Sequence, residues 1–274
     1  MKGAPYIPIV ILFVFLICGI FGAFIRPHNP TGMNLMTSLK PPFWDKKGST
    51  ERLLGADDLG RDILSRIITG ARISLQVGFV VVAIAGSIGS TIALLSGFLG
   101  GKVDTVLMMI TDIFLSLPYL LVAIVLAAIL GPSKNNIIII LIILGWAGYA
   151  RVLRSEVLRL KEADFVNLAR VAGCSTIRIM WREIFPNIVN TLIIMATLSI
   201  GSIIIAESSI SFLGLGVPPP EPAWGSMVAD GRDFMTTAWW VSLWPGLAIL
   251  FVVLSCNLLG DWLRIRLDPK FRQL

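Results

Sequence analysis

Two carboxylates stand inside long apolar runs of this chain, Asp112 in "LMMITDIFLSL" and Glu207 in "IIIAESSISF". A charge in that setting is expensive, so it must face water or protein along a solute path, or hydrogen-bond between packed helices. Asp112 falls near the middle of its run, where the structural role is favoured. Glu207 falls near the end of its run, and both a gate or cavity role and interface packing are open. Other candidates for chemistry fail on spacing. "GFLGGKVD" looks superficially like a phosphate loop, but Ser96 stands where the first glycine belongs and Val103 where Ser or Thr should follow Lys102. Cys18, Cys174 and Cys256 share no CxxC spacing, so neither a zinc site nor a disulfide framework is indicated. The lone histidine, His28, cannot build a histidine metal cluster, and a solvated loop position is expected for it. No nucleophile, base and orienter stand at a family spacing, so an enzyme reading would rest on isolated Ser and Asp residues.

The elements that must hold these groups follow from composition. The 274 residues are 55% hydrophobic and only 15% charged, with a mean hydropathy of +0.83, which points to an integral membrane protein. Crossing a hydrocarbon core of about 30 Å takes roughly 20 helical residues. Six runs qualify: 7–25, 74–99, 103–130, 136–153, 188–213 and 239–263. They are continuously apolar, which disfavours a barrel of short alternating strands. The first run lacks a small-x-small cleavage pattern and reads as an uncleaved anchor. The net charge of +6 is read as the basic cytoplasmic flanks of spans and not as a nucleic-acid surface. The short basic connection after the fourth run and the C-terminal tail are expected in the cytoplasm, and so is the N-terminus. Pro118 should kink the third span, while Gly86, Gly89, Ser90, Gly97 and Gly101 should allow close helix approach. The charged run from Asp57 to Arg72 is expected along the outer surface, solvated and self-paired or meeting a partner. "GVPPPEPAWGSMVADGRD" should form a proline turn and then a short interfacial helix near Trp224.

A polar stretch, "FVNLARVAGCSTIRIMWREIFPN", interrupts the greasy runs. Phe165, Leu168, Ala169 and Ala172 recur at helical spacing as an apolar stripe. Gly173 is placed to stop that helix, Ser175 to cap a second one, and Pro186 to end it. The unit could be a DNA-binding helix-turn-helix, an amphipathic connector on lipid headgroups, or a knob that docks into a cytoplasmic partner.

Here the residues carry a resemblance. Importer permeases powered by ATP-binding cassettes mark this loop with Glu-Ala-Ala, three residues, Gly, nine residues and Ile-x-Leu-Pro. Ala169, Gly173 and Pro186 match in register, while Asn167, Leu168, Glu183 and Phe185 depart. "LLGADDLGRDILSRIITGARISLQVG", "SISFLGLGVPPPEPAWGSMVADGRD" and "NLLGDWLRIRLDP" resemble the C-type permease of dipeptide, oligopeptide and nickel importers, in that family's order. The resemblance implies an all-α, six-span permease of the type I importer fold. It would have an anchor and extracytoplasmic connection at 1–73, a core at 74–265 with a coupling loop near 154–187, and a cytoplasmic tail at 266–274. It implies a coupling helix formed by Asn167, Leu168, Ala169, Ala172 and Gly173, with Pro186 closing the motif. It further implies a homologous B-type permease, two ATP-binding subunits that hold ATP and Mg and supply the hydrolysis, and an extracytoplasmic binding protein. No cofactor or metal is expected in this chain, its surroundings should be inner-membrane lipid, and Asp112 and Glu207 are possible path or gate residues. Peptides are the default cargo of the group, with nickel chelates, glutathione or oligosaccharides as alternatives. A non-transporting binding or signalling membrane protein is the competing class.

Overall fold

Asp62 opens a 37-residue helix. Its carboxylate accepts hydrogen bonds from the Ser65 amide (2.9 Å) and hydroxyl (2.6 Å), satisfying donors that a helix start leaves orphaned. The helix that follows, α2, covers Ile63–Leu99, about 55 Å at 1.5 Å per residue. The computed structural model describes residues 4–267; Lys2, Pro269, Lys270 and Arg272, and most of the tail expected at 266–274, lie outside the described residues. Around α2 stand α1 (Tyr6–Ile25), α3 (Gly101–Ser116), α4 (Tyr119–Leu130), α5 (Lys134–Lys161), α6 (Asp164–Val171), α7 (Thr176–Ile179), α8 (Phe185–Phe212), α9 (Trp224–Asp230) and α10 (Trp240–Leu267). Among the described residues there is no strand, only an isolated bridge between Ala56 and Asp62. This is an all-α membrane protein.

Small residues set the closest contacts. A Cβ on Gly89 would lie 2.5 Å from Tyr149 Cβ, and one on Gly97 would lie 2.7 Å from Val157 Cγ1, so α2 and α5 cross with their backbones nearly touching. Gly101 works differently from the packing role expected of it. It has φ +56 with no atom within 4 Å of its Cβ position, and with Gly100 (φ +70) it makes the tight turn from α2 into α3. Gly22 of α1 meets Ile68 near the start of α2, and Gly260 of α10 meets Leu198 of α8. The connections 26–62 and 213–239 therefore cap one end of the bundle, and the 99–101 turn and the 162–185 loop lie at the other.

The helices overrun the expected spans because their polar ends stay helical. α2 begins at Ile63 and not near 74, so the division expected at 73/74 falls inside a helix. α5 continues past 153 to Lys161, carrying Arg151 and Arg154 on its body. The third span departs most. α3 and α4 meet at 84°, far more than a kink, because Pro118 forces Leu117 into extended backbone (φ -81, ψ 137) and cannot continue the hydrogen-bond ladder. Among the described residues five helices are long and apolar enough to cross a membrane, and the bent pair makes a sixth crossing if counted as one.

Candidate functional site

The polar loop is built from local capping chemistry. α6 ends in paired bonds, Gly173 N–H to Arg170 O and Cys174 N–H to Ala169 O, each 3.0 Å. Gly173 has φ +77, the left-handed geometry this ending requires. Ser175 then accepts from the Arg178 amide (3.4 Å) and starts α7. Pro186 does not end the second helix. A π turn over Met180–Ile184 joins α7 to α8, with Phe185 N–H bonded to Met180 O. This wide turn absorbs the donor that Pro186 lacks, while Asn187 Nδ2 donates to Glu183 O at 2.6 Å. Helix therefore runs unbroken from Thr176 to Phe212.

Burial sorts the faces of α6. Val166 is fully buried and Ala169 packs beside it against a core containing Phe98, Val157, Ile179 and Ile184. Arg170 lies over the Phe98 ring (5.6 Å) and donates to Asn167 Oδ1 (3.0 Å), which pins the helix to the bundle. Leu168 is 68% exposed and Val171 87%. Phe165, Ala172 and Gly173 are exposed as well. The outward apolar surface thus centres on Leu168 and Val171. Ala169 belongs to the inner face, and Pro186 stands in the first turn of α8. Val171 was not among the sequence candidates, although its i+3 spacing from Leu168 is the signal that finds it.

Asp112 projects from α3 and pairs with Arg151 of α5. Nearer the loop end, Asp104 pairs with Arg154. Asp104, Arg154 and Asp112 border an open cavity of about 610 Å³. Glu207 has a different setting. It is 0% exposed and accepts hydrogen bonds from the hydroxyls of Ser211 (2.7 Å) and Ser208 (3.4 Å), with no cationic partner among the described residues.

At the capped end the first part of the run from Asp57 is self-paired but not solvated, while Arg72 at its end is exposed. Asp57, Arg61, Asp62 and Arg66 are all buried. Arg61 Nε donates to Asp57 Oδ2 (2.7 Å), and Arg61 Nη2 reaches Asp230 Oδ2 (3.3 Å). Burial raises the Asp230 carboxyl above its ordinary range, although Arg66 and Arg61 pull it down. His28 is exposed, as expected, with Nδ1 3.6 Å from Asp62. The helix expected at the interface is instead part of the core. Trp224 is 2% exposed, and its indole donates to Ile67 O at 3.0 Å.

Residues 89–273 match the family model described as binding-protein-dependent transport system inner membrane component. The chain is 43% identical over 264 residues to a di/tripeptide transport system permease protein of Pseudomonas aeruginosa, covering 96% of this chain and 87% of that protein. It is 44% identical over 272 residues to a dipeptide transport system permease protein of Escherichia coli, covering 99% and 90%. A probable D,D-dipeptide transport system permease protein of Escherichia coli is 39% identical over 272 residues, covering 98% and 89%.

Proposed function

Because this chain belongs to the binding-protein-dependent transport system inner membrane component family, we propose that it passes di- or oligopeptides across the inner membrane by alternating access. It is the non-catalytic permease subunit of an ATP-driven importer. The full machine in this reading has a homologous second permease, two ATP-binding subunits that hold ATP and Mg, and an extracytoplasmic binding protein. Peptide cargo follows from the dipeptide and di/tripeptide permeases that the chain resembles across nearly its whole length.

The observation that carries the coupling role is the outward face of α6. Leu168 and Val171 stand exposed on a helix whose opposite face is locked down by Val166 and Ala169. Apolar side chains displayed on a fixed support suit a docking surface, where packing gives affinity and the flanking Arg170 and Arg178 give register. The loop lies at the cytoplasmic end in this reading, with both chain termini on the same side. Closure of the nucleotide-bound ATPases then moves α6 and the helices continuous with its loop. Asn167 braces α6 through Arg170, and Gly173 sets the angle at which the next helix leaves. Glu207, fully buried, is held by Ser208 and Ser211 of its own helix and has a structural role in this reading.

The test is site-directed crosslinking in the assembled complex. Val171→Cys should crosslink to an ATP-binding subunit, with a yield that changes between nucleotide-free and ATP-bound states, and dipeptide uptake should require both subunits. A Val171→Cys variant that reacts with impermeant reagent from outside intact cells would overturn the orientation and the docking role together.

A further inference from the structure

α3 presents its two acid–base rungs to a space that this chain leaves uncovered. The Asp104–Arg154 pair is mostly covered, with side chains 19% and 24% exposed. The Asp112–Arg151 pair is not, at 54% and 47%. Its depth follows from Phe114, two residues beyond Asp112, whose ring packs 5.2 Å from Trp146 near the middle of α5. A half-exposed ion pair inside the expected spans is costly against acyl chains, which favours water or protein at this face. The adjoining cavity of about 610 Å³ is lined by Met108, Met109, Thr105 and Ser116 beside the two carboxylates. That volume lies within the roughly 300–1,000 Å³ of small-molecule sites.

We propose that Asp112 and Arg151 line the aqueous solute path and take the charged ends of a short peptide, the ammonium on Asp112 and the carboxylate on Arg151. This rests on the peptide-importer reading above. A dipeptide is a zwitterion, and its two charges resist desolvation in a membrane interior. Here it would exchange one internal ion pair for two external ones, so no charge is left alone at any stage. The planar guanidinium fork fits a carboxylate in two parallel hydrogen bonds. The internal pair competes with the cargo and keeps binding weak, as a transit site requires. Met108 and Met109 give the wall a flexible apolar surface that accommodates peptide side chains of varied shape.

Two measurements on the complete complex in proteoliposomes test this. With Cys18, Cys174 and Cys256 replaced by Ser, Ser116→Cys and Met109→Cys should react with a water-borne methanethiosulfonate, at a rate that changes with nucleotide. Protection in every state, together with crosslinking to the partner permease, would make this face a subunit interface and overturn the proposal. In uptake assays, Arg151→Gln should lose about tenfold of the wild-type preference for dialanine over its C-terminal amide. Asp112→Asn should lose a similar factor of the preference over the N-acetyl form. The binding protein's own selectivity cancels, because every ratio is taken against wild type with the same binding protein. Unchanged ratios in a wild-type-like transporter would sink the inference alone. If either variant fails to assemble, the labelling of Ser116→Cys, with both charges intact, decides. A wild-type complex that imports no dialanine would instead sink the peptide reading.

Discussion

Arg66 of α2 donates through Nη2 to Asp230 of α9 across 3.4 Å, joining residues 164 apart in the chain. The same guanidinium lies 3.3 Å from Asp57 Oδ2, and Arg66 and Asp57 are both buried. Removing Arg66 leaves Asp57 and Asp230 to share Arg61, so one buried negative charge goes uncompensated. Arg66→Met should therefore destabilise the cap by about 3–5 kcal/mol. Thermal unfolding in detergent, followed by intrinsic tryptophan fluorescence, measures this. A melting temperature within a degree of wild type would contradict it.

The same cluster gives a pH dependence. Burial raises Asp230 above the ordinary 3.8, so the folded state holds that proton more tightly than the unfolded one. Its favourable contribution is complete below the unfolded pKa and is lost as pH rises through the folded one. Asn does not titrate, so the wild-type melting temperature should fall relative to Asp230→Asn as pH rises through that window. A wild-type melting temperature that rose relative to the variant over that window would give the wrong sign.

Gly173 separates backbone strain from docking. Nothing lies within 4 Å of its Cβ position, but φ is +77, so any side chain there carries about 1–2 kcal/mol of conformational cost. Gly173→Ala and Gly173→Trp should both insert and fold with that small penalty. Only the tryptophan should abolish ATP-driven uptake, because its bulk stands where α6 meets its partner. Equal uptake by the two variants would leave the docking role unsupported.

Among the described residues Glu207 meets only hydroxyl donors. Glu207→Gln keeps shape and an acceptor, and should shift melting little. Glu207→Ala orphans two serine hydroxyls and leaves a void, at a cost of about 2–4 kcal/mol. The two melting curves, compared in one detergent, check the ordering.

Two glycines of the central helix pair should respond oppositely. Gly89→Ala forces a methyl against Tyr149 and the Trp146 carbonyl, which should destabilise by about 1–3 kcal/mol. Gly148 has no atom within 4 Å of its Cβ position, so Gly148→Ala should stabilise the isolated chain by about 0.5–1 kcal/mol. Melting of the purified subunit distinguishes them.

Local chemistry was readable in the sequence and tertiary partnership was not. Gly173 and Ser175 announce a helix end and a helix start because capping needs only neighbouring atoms. Asp112 and Glu207 stand out because carboxylates are rare in apolar runs. Pro186 misleads, since the π turn that absorbs it depends on how residues 180–185 register with the core beneath. The charges after Asp57 look solvated because Asp230, which completes their cluster, is remote in the chain. Val171 is exposed and Ala169 partly buried because Arg170 over Phe98 fixes the roll of α6, and Phe98 belongs to another helix. Pro118 announces a disturbance but not its 84° size, which the packing of Ala123 and Ala127 against α5 and α8 decides.

The uninterrupted helix from Thr176 to Phe212 makes a lever of about 55 Å when it pivots at its loop end. A tilt of about 5° at its base would swing the far tip sideways by roughly 5 Å over that length. Glu207 and the serines that hold it ride near that tip, so a small nudge at one membrane surface arrives magnified at the other.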